Sequence, residues 1–235
     1  MIEGIIIKKQ NRFVCQVIVN DEIVFCHFPA TGNVGNIVFK DIPCLLTLTN
    51  NPKTKYTIDA ISLNGGKNWI GINQIKANSV IENLLRTNQL IKIIDTTNSE
   101  IKRERKVGNS RLDFVINDIY IEVKTPLIIL PLKDGYVSDK IQFTKKITSV
   151  STDRFFKHLD ELSHNIKRSI LLLLYMFEAK PFCPPKNNNG NGEKIKEKVL
   201  NSIQNGVEVW QVNCKFTPRA IELVDYYRCE KYLCN

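Results

Sequence analysis

The chain has 235 residues, enough for one large domain or two small ones. Its 43% hydrophobic and 24% charged residues exclude a disordered or fibrous class. Lys and Arg number 33 against 24 Asp and Glu, a formal net charge of +9. That balance favours a polyanionic partner, nucleic acid first and an anionic membrane surface second.

The opening MIEGIIIKKQ has too short an apolar run, followed too soon by charge, to read as a secretory signal. No apolar run reaches membrane-spanning length, and SILLLLYMF has the length of a buried strand. Seven cysteines (Cys15, Cys26, Cys44, Cys183, Cys214, Cys229 and Cys234) are scattered with no CxxC pair. An odd number without a signal peptide predicts reduced thiols and a cytoplasmic protein, and the spacing gives no zinc site.

Residues 1 to 76 read as β-rich. FVCQVIVN, EIVFCHF, NIVFK, CLLTLTN, YTIDAISLN and KNWIGIN are short runs rich in Val, Ile, Phe and Thr, separated by Gly, Asn, Asp and Pro. Strands at this spacing predict a small barrel, in a basic protein an oligonucleotide-binding (OB) one. The period then changes. NSVIENLLRTNQLIKII carries Val80, Ile81, Leu84, Leu85 and Leu90 at helical spacing, and Ser79-x-x-Glu82 reads as a capping box with Ser79 as N-cap. A basic stretch, IKRERKVGNS, precedes the hairpin discussed below. A second helix over STDRFFKHLDELSHNIKR puts Phe155, Leu159, Leu162 and Ile166 on one face, with Arg154, Lys157, His158 and Glu161 on others. SILLLLYMFEA is a strand buried on both faces. FCPPKNNNGNGEK is a loop, EKIKEKVLNSIQNG a helix stopped by Gly206, VEVWQVNCKF a strand, and the remainder a short terminal helix. The expected fold is α/β with an all-β N-terminal part: an OB-like barrel over 1–76, then a mixed sheet flanked by helices over 77–235.

The hairpin carries the chemistry. With Asn117-Asp118 as a two-residue loop, Ile116 faces Ile119, Val115 faces Tyr120, Phe114 faces Ile121 and Asp113 faces Glu122. One face is then Leu112, Phe114, Ile116, Ile119, Ile121 and Val123, all apolar. The other holds Asp113 and Glu122 directly opposed, with Arg111 and Lys124 beside them. Opposed like charges destabilise a sheet, so a hard divalent ion fits between them. A solvated sheet face, with Arg111 and Lys124 balancing the two acids, accounts for the same residues.

Asp113 followed by Glu122-x-Lys124 resembles the PD-(D/E)XK nuclease superfamily. In phosphodiester hydrolysis two carboxylates hold Mg²⁺, which acidifies a bound water, and the lysine orients that water or stabilises developing charge. A longer resemblance runs through HFPATGNV (27–34), NNPKTKYT (50–57), WIGIN (69–73), RERKVGNSRLDF (103–114), YIEVKT (120–125), KHLDEL (157–162) and GVEVWQV (206–212). On these blocks the chain is identified as a member of the sugar fermentation stimulation protein A family. That resemblance implies an OB-like barrel joined to a PD-(D/E)XK nuclease-like domain, DNA as partner, and a regulatory link to sugar metabolism.

Carried over by motif, Asp113 and Glu122 are the expected metal ligands for Mg²⁺ or Mn²⁺, and Asp113, Glu122 and Lys124 the catalytic set. Glu82 is a further candidate ligand, its rival role being the capping box. His158 is a candidate catalytic residue, its rival role an ordinary surface histidine. Arg111 and the run Lys102, Arg103, Arg105 and Lys106 are candidate DNA-phosphate contacts, or else a solvated charged face. The chain departs from the family at Phe28 and Ala30, where Cys and Asn are commoner. It departs again at Thr125-Pro126, where proline ends or bulges the strand, and at the Asn/Gly loop. The expected function is a DNA-binding protein with a Mg²⁺-type phosphodiesterase site. The alternative is a non-catalytic DNA-binding regulator of sugar-metabolism genes. A sugar-binding enzyme has little support in the residues.

Overall fold

The computed structural model describes residues 1–30, 33–107, 110–144, 152–165, 167–182 and 191–229. The Thr31-Gly32 pair, most of the Asn/Gly loop and the last six residues, with Cys183 and Cys234, lie outside these.

The N-terminal part is a closed barrel. Strands β1 (Ile2–Lys9), β2 (Val14–Val19) and β3 (Glu22–His27) form a meander, β1 also pairs with β4 (Ile42–Leu48), and β4 pairs with β5 (Tyr56–Ile61). A short parallel contact, Cys26 to Tyr56 and His27 to Thr57, joins β3 to β5 and closes the barrel. The β2–β3 turn is Asn20-Asp21, both at positive φ, a conformation these two residue types tolerate. Two expectations change here. The opening segment, not among the strand runs expected, is a full strand, β1, paired on both sides with β2 and β4. Residues 36–40 are not a strand: Asn36 and Asp41 both take positive φ, and Ile37 makes an isolated bridge to Phe143.

The second sheet is mixed and six-stranded, in the order β12-β11-β10-β9-β8-β7. Its strands are β7 (Lys102–Val107), β8 (Ser110–Ile116), β9 (Ile119–Lys124), β10 (Ser169–Tyr175), β11 (Glu208–Phe216) and β12 (Ile221–Arg228). Strands β9, β10 and β11 run parallel, and the outer pairs antiparallel. Strand β10 is buried at every residue, as a central parallel strand must be. The segment expected as a terminal helix is instead edge strand β12, and the basic stretch is edge strand β7. Helix α1 (Ala77–Arg86) covers one face, with Ile81, Leu84 and Leu85 packed among Phe114, Ile121 and Leu172. Helices α2 (Asp153–Ser163) and α3 (Asn191–Gln204) cover the other, where Leu159, Leu162 and Val199 meet Leu171 and Leu173.

Barrel and sheet are welded together. The two-residue strand β6 (Ile70–Gly71) pairs with β5, and the Gly71 N–H donates to the Met176 carbonyl at the end of β10, 2.9 Å away. The approach needs glycine, because a Cβ there would lie 2.5 Å from Met176 Cβ and 2.7 Å from Phe216. One hydrophobic cluster runs from the barrel interior to the α2/α3 face of the sheet. Asp59 of β5, fully buried, accepts from Asn73 Nδ2 and Lys76 Nζ at 2.6 Å each and from Thr47. This network anchors the 3-10 turn Gln74–Lys76, which runs straight into α1. Asn73 already caps that turn through the Ile75 N–H, so α1 begins at Ala77 and Ser79 is not its N-cap. Among the described residues no helix is long and apolar enough to cross a membrane, and Cys15, Cys26, Cys44, Cys214 and Cys229 are free and buried.

Candidate functional site

The β8–β9 hairpin pairs as expected at Phe114 opposite Ile121, Val115 opposite Tyr120 and Ile116 opposite Ile119, and the regular pairing stops there, short of the expected Asp113–Glu122 pair. Asn117 and Asp118 both take positive φ, so the turn fixes the pairing. Further along, the Asp113 side chain takes a backbone donor: the Val123 N–H gives its hydrogen to Asp113 Oδ2 at 2.8 Å. Asp113 Oδ1 accepts from Asn78 Nδ2, in the first turn of α1, at 2.7 Å. Asp113 is thus held from two elements.

Glu122 is 1% exposed. Its Oε1 accepts from Lys124 Nζ, two residues on, and is hydrogen-bonded to Nδ1 of His158 from α2. Lys124 Nζ also lies 3.5 Å from that ring nitrogen. Glu122 Oε2 is buried and has no hydrogen-bond partner among the described residues. Such an orphaned oxygen costs about 1–3 kcal/mol, more when charged, so this position is built for something other than stability.

The two carboxyls are tuned apart. Burial, and then the Glu122 charge, push Asp113 above the usual carboxylate range, against the Val123 and Asn78 hydrogen bonds. Burial also pushes Glu122 up. The His158 hydrogen bond and the Lys124 charge more than offset it and hold Glu122 below its ordinary value. Like charges that disfavour joint ionisation, one stabilised by a lysine, make a site that gains from an added cation.

Asp113, Glu122, Lys124 and His158 all line one cleft of about 550 Å³, together with Asn78, Arg111 and Arg154. His158 was expected on a face away from the core of its helix. It is 8% exposed, because α2 lies across β9 and β10 and turns that face onto Glu122. Glu82 is not brought to the cleft. It lies more than a helical turn beyond Asn78 and is paired with Arg86 at 2.7 Å and Arg103 at 2.9 Å. Neither a capping box nor a place beside Asp113 describes it: the helix starts two residues before Ser79, and the residue at the site is Asn78. Arg103 therefore sits on the α1 face, away from the cleft. Lys102 pairs with Glu100 and Arg111 with Glu104, while Arg105 and Lys106 are exposed on β7. Asn78 was not singled out from the sequence; its role depends on where α1 begins, which local pattern had set three residues late, with Ser79 rather than Lys76 as N-cap.

Comparison with known proteins agrees with this architecture. The SfsA N-terminal OB domain model matches residues 7–72, and the sugar fermentation stimulation protein RE domain model matches residues 75–130. The sugar fermentation stimulation protein homolog of Clostridium tetani is 30% identical over 221 residues, covering 88% of this chain and 87% of that one. The homologs of Clostridium perfringens and Pseudoalteromonas atlantica are each 29% identical, over 95% of this chain and 94% of theirs. The structure of Pyrococcus furiosus SfsA in complex with Ca²⁺ is similar in fold, with a TM-score of 0.68 at 22% identity, covering 95% of this chain and 92% of that one.

Proposed function

Because the chain belongs to the sugar fermentation stimulation protein family, we propose that it binds DNA and hydrolyses phosphodiester bonds in the Asp113–Glu122 cleft with a divalent ion. The observation that carries this is the buried, partnerless Oε2 of Glu122 in the same cleft as the Asp113 carboxylate. The donor set is hard oxygen, which fits Mg²⁺ or Mn²⁺. No third His, Cys, Asp or Glu joins it among the described residues. Water and substrate oxygens would fill the remaining positions, as Mg²⁺ commonly requires. The Ca²⁺ named with the Pyrococcus furiosus protein supports an oxygen-ligand ion.

An ion bound there supplies Lewis acidity toward a phosphate oxygen and an acidified water. The chain's own residues do the rest. Asn78 and the Val123 N–H orient Asp113. His158 and Lys124 orient Glu122 and keep it ionised. With an ion held at Glu122, the Lys124 ammonium would be free to hold the attacking water or to stabilise charge on the phosphate. His158 touches Glu122 and acts as a positioning residue. Lys124, Arg111 and Arg154 give the cleft its positive rim for DNA, and the barrel supplies further DNA contact. A cytoplasmic location belongs to the same proposal.

The test is incubation of wild-type protein and Glu122→Gln with labelled DNA, with Mg²⁺ or Mn²⁺ and with chelator. Metal-dependent cutting that is lost in Glu122→Gln, with binding retained, supports the proposal. Salt-sensitive binding with no cutting overturns the hydrolytic half and leaves a DNA-binding regulator.

A further inference from the structure

We infer that the cleft admits an unpaired DNA strand, seating one base between its apolar walls while the adjoining phosphate lies at Asp113 and Glu122. This rests on the function just proposed and adds the substrate class.

Size and depth are the first grounds. The cleft of about 550 Å³ falls in the range that encloses a small-molecule-sized group. It has room for about one nucleotide and none for a double helix. Glu122 at its floor is 1% exposed. A phosphate in a regular duplex lies on a convex surface and cannot descend to it. Enzymes that seat a base in a pocket act on single strands or extrude the nucleotide.

The walls are the second ground. Two charged groups meeting a phosphate need no apolar lining, yet Ile128, Phe155, Leu173 and Phe182 line the same space as the carboxylates. A base is flat and apolar on its faces, and aromatic and aliphatic walls are what it packs on. The lip adds a third ground. Ile75 is 71% exposed and Ile129 is 44% exposed, and both line the cleft. They come from separate segments, the 3-10 turn before α1 and the chain after β9, which Gln74 Nε2 ties together by donating to the Thr125 carbonyl at 3.1 Å. Aliphatic side chains so placed act on DNA as wedges between base steps. Arg111 from β8 and Arg154 from α2 line the same cleft and match the phosphates on either side of a seated nucleotide.

The experiment uses full-length Glu122→Gln, which retains the cleft but is expected not to cut. The probes are a single-stranded oligodeoxynucleotide carrying 2-aminopurine at successive positions and the blunt duplex of the same sequence. The single strand should bind about tenfold tighter than the duplex at equal salt. At one position 2-aminopurine should become several-fold less accessible to acrylamide. Ile75→Ser/Ile129→Ser replaces two exposed side chains, so folding is retained, and circular dichroism checks it. That double variant, made in the Glu122→Gln background, should lose most of the single-strand preference and leave duplex binding unchanged. Equal affinity for duplex, or unchanged acrylamide access at every position, overturns the inference. Wild-type failure to cut any DNA leaves these readouts intact and removes only the hydrolytic proposal. Equal cutting of blunt duplex supports hydrolysis and overturns this inference alone, and no binding to either probe overturns both.

Discussion

Asp59 lies in the barrel, yet its removal should be felt at the cleft. Asp59→Ala takes away the acceptor for Asn73, Lys76 and Thr47 at once. Asn73 is 4% exposed, so its amide loses a partner that water does not readily replace, a cost of about 1–3 kcal/mol. Lys76 has a side chain 34% exposed and turns to solvent. Its share is therefore nearer the surface-pair value of roughly 0–1 kcal/mol than that of a fully buried ion pair. The sum is about 3 kcal/mol, or roughly 6–12 °C in Tm for a chain of this size. Asp59→Asn keeps the volume and one acceptor oxygen and should cost about 1 kcal/mol. The network fixes the turn that starts α1, and Asn78 stands two residues after Lys76. Asp59→Ala should therefore loosen the Asn78 hold on Asp113 and lower metal-dependent cutting at temperatures where the variant is folded. Urea melts followed by circular dichroism give the stability, and initial cutting rates the second effect. A loss under about 1 kcal/mol with unchanged cutting would refute the anchoring role.

Other outcomes follow from the same geometry. Mg²⁺ or Mn²⁺ at a hundred times its Kd should stabilise the wild type by about 2.7 kcal/mol, roughly 5–11 °C in Tm, and Asp113→Asn should abolish the shift; differential scanning fluorimetry reads both. In metal-free protein Asp113→Asn should raise Tm at neutral pH. A carboxyl whose folded pKa is raised contributes stability that is fully present below its unfolded pKa and lost as pH rises through the folded one. The advantage of the variant must therefore vanish on acidification, and a pH series of melts showing the reverse trend would exclude burial as the cause. Glu122 has the opposite sign, its contribution being present above the unfolded pKa and lost as pH falls through the depressed folded one. Gly71→Ala drives a methyl into Met176 and Phe216 and should cost roughly 1–3 kcal/mol; an unchanged urea midpoint would show that the junction between barrel and sheet gives way more easily than its packing implies.

What the sequence disclosed was governed by short-range physics. The hairpin register was legible because Asn117-Asp118 is a two-residue turn that admits positive φ at both positions. Strand β10 was legible because an uninterrupted apolar run has few other places to go. The misses are long-range. Strand β1 carries Ile2 and Ile5 partly exposed and shows its strand character only through partners far along the chain. Residues 36–40 have strand composition, but the backbone breaks on either side of them. His158 could be named as a candidate but not placed, because nothing in its helix says that β9 lies beneath. Within the site, Asp113, Glu122 and Lys124 could be found from spacing along one hairpin. Asn78 could not, since its distance of 35 positions from Asp113 is closed only by the packing of α1.

Strand β7 has a further consequence, for self-association. It is an open edge of the sheet, with backbone groups on its outer side available to another strand. Lys102, Arg103, Arg105 and Lys106 crowd that edge, all exposed, and Glu104 among them takes φ 48°, which breaks the extended line of the strand. Charge and a kink are how sheets discourage a second molecule from adding on. The basic residues of β7 are thus placed to keep copies of this chain from zipping together edge to edge. Neutralising them should open that edge to a second copy, and the first sign of it would be sedimentation of the protein.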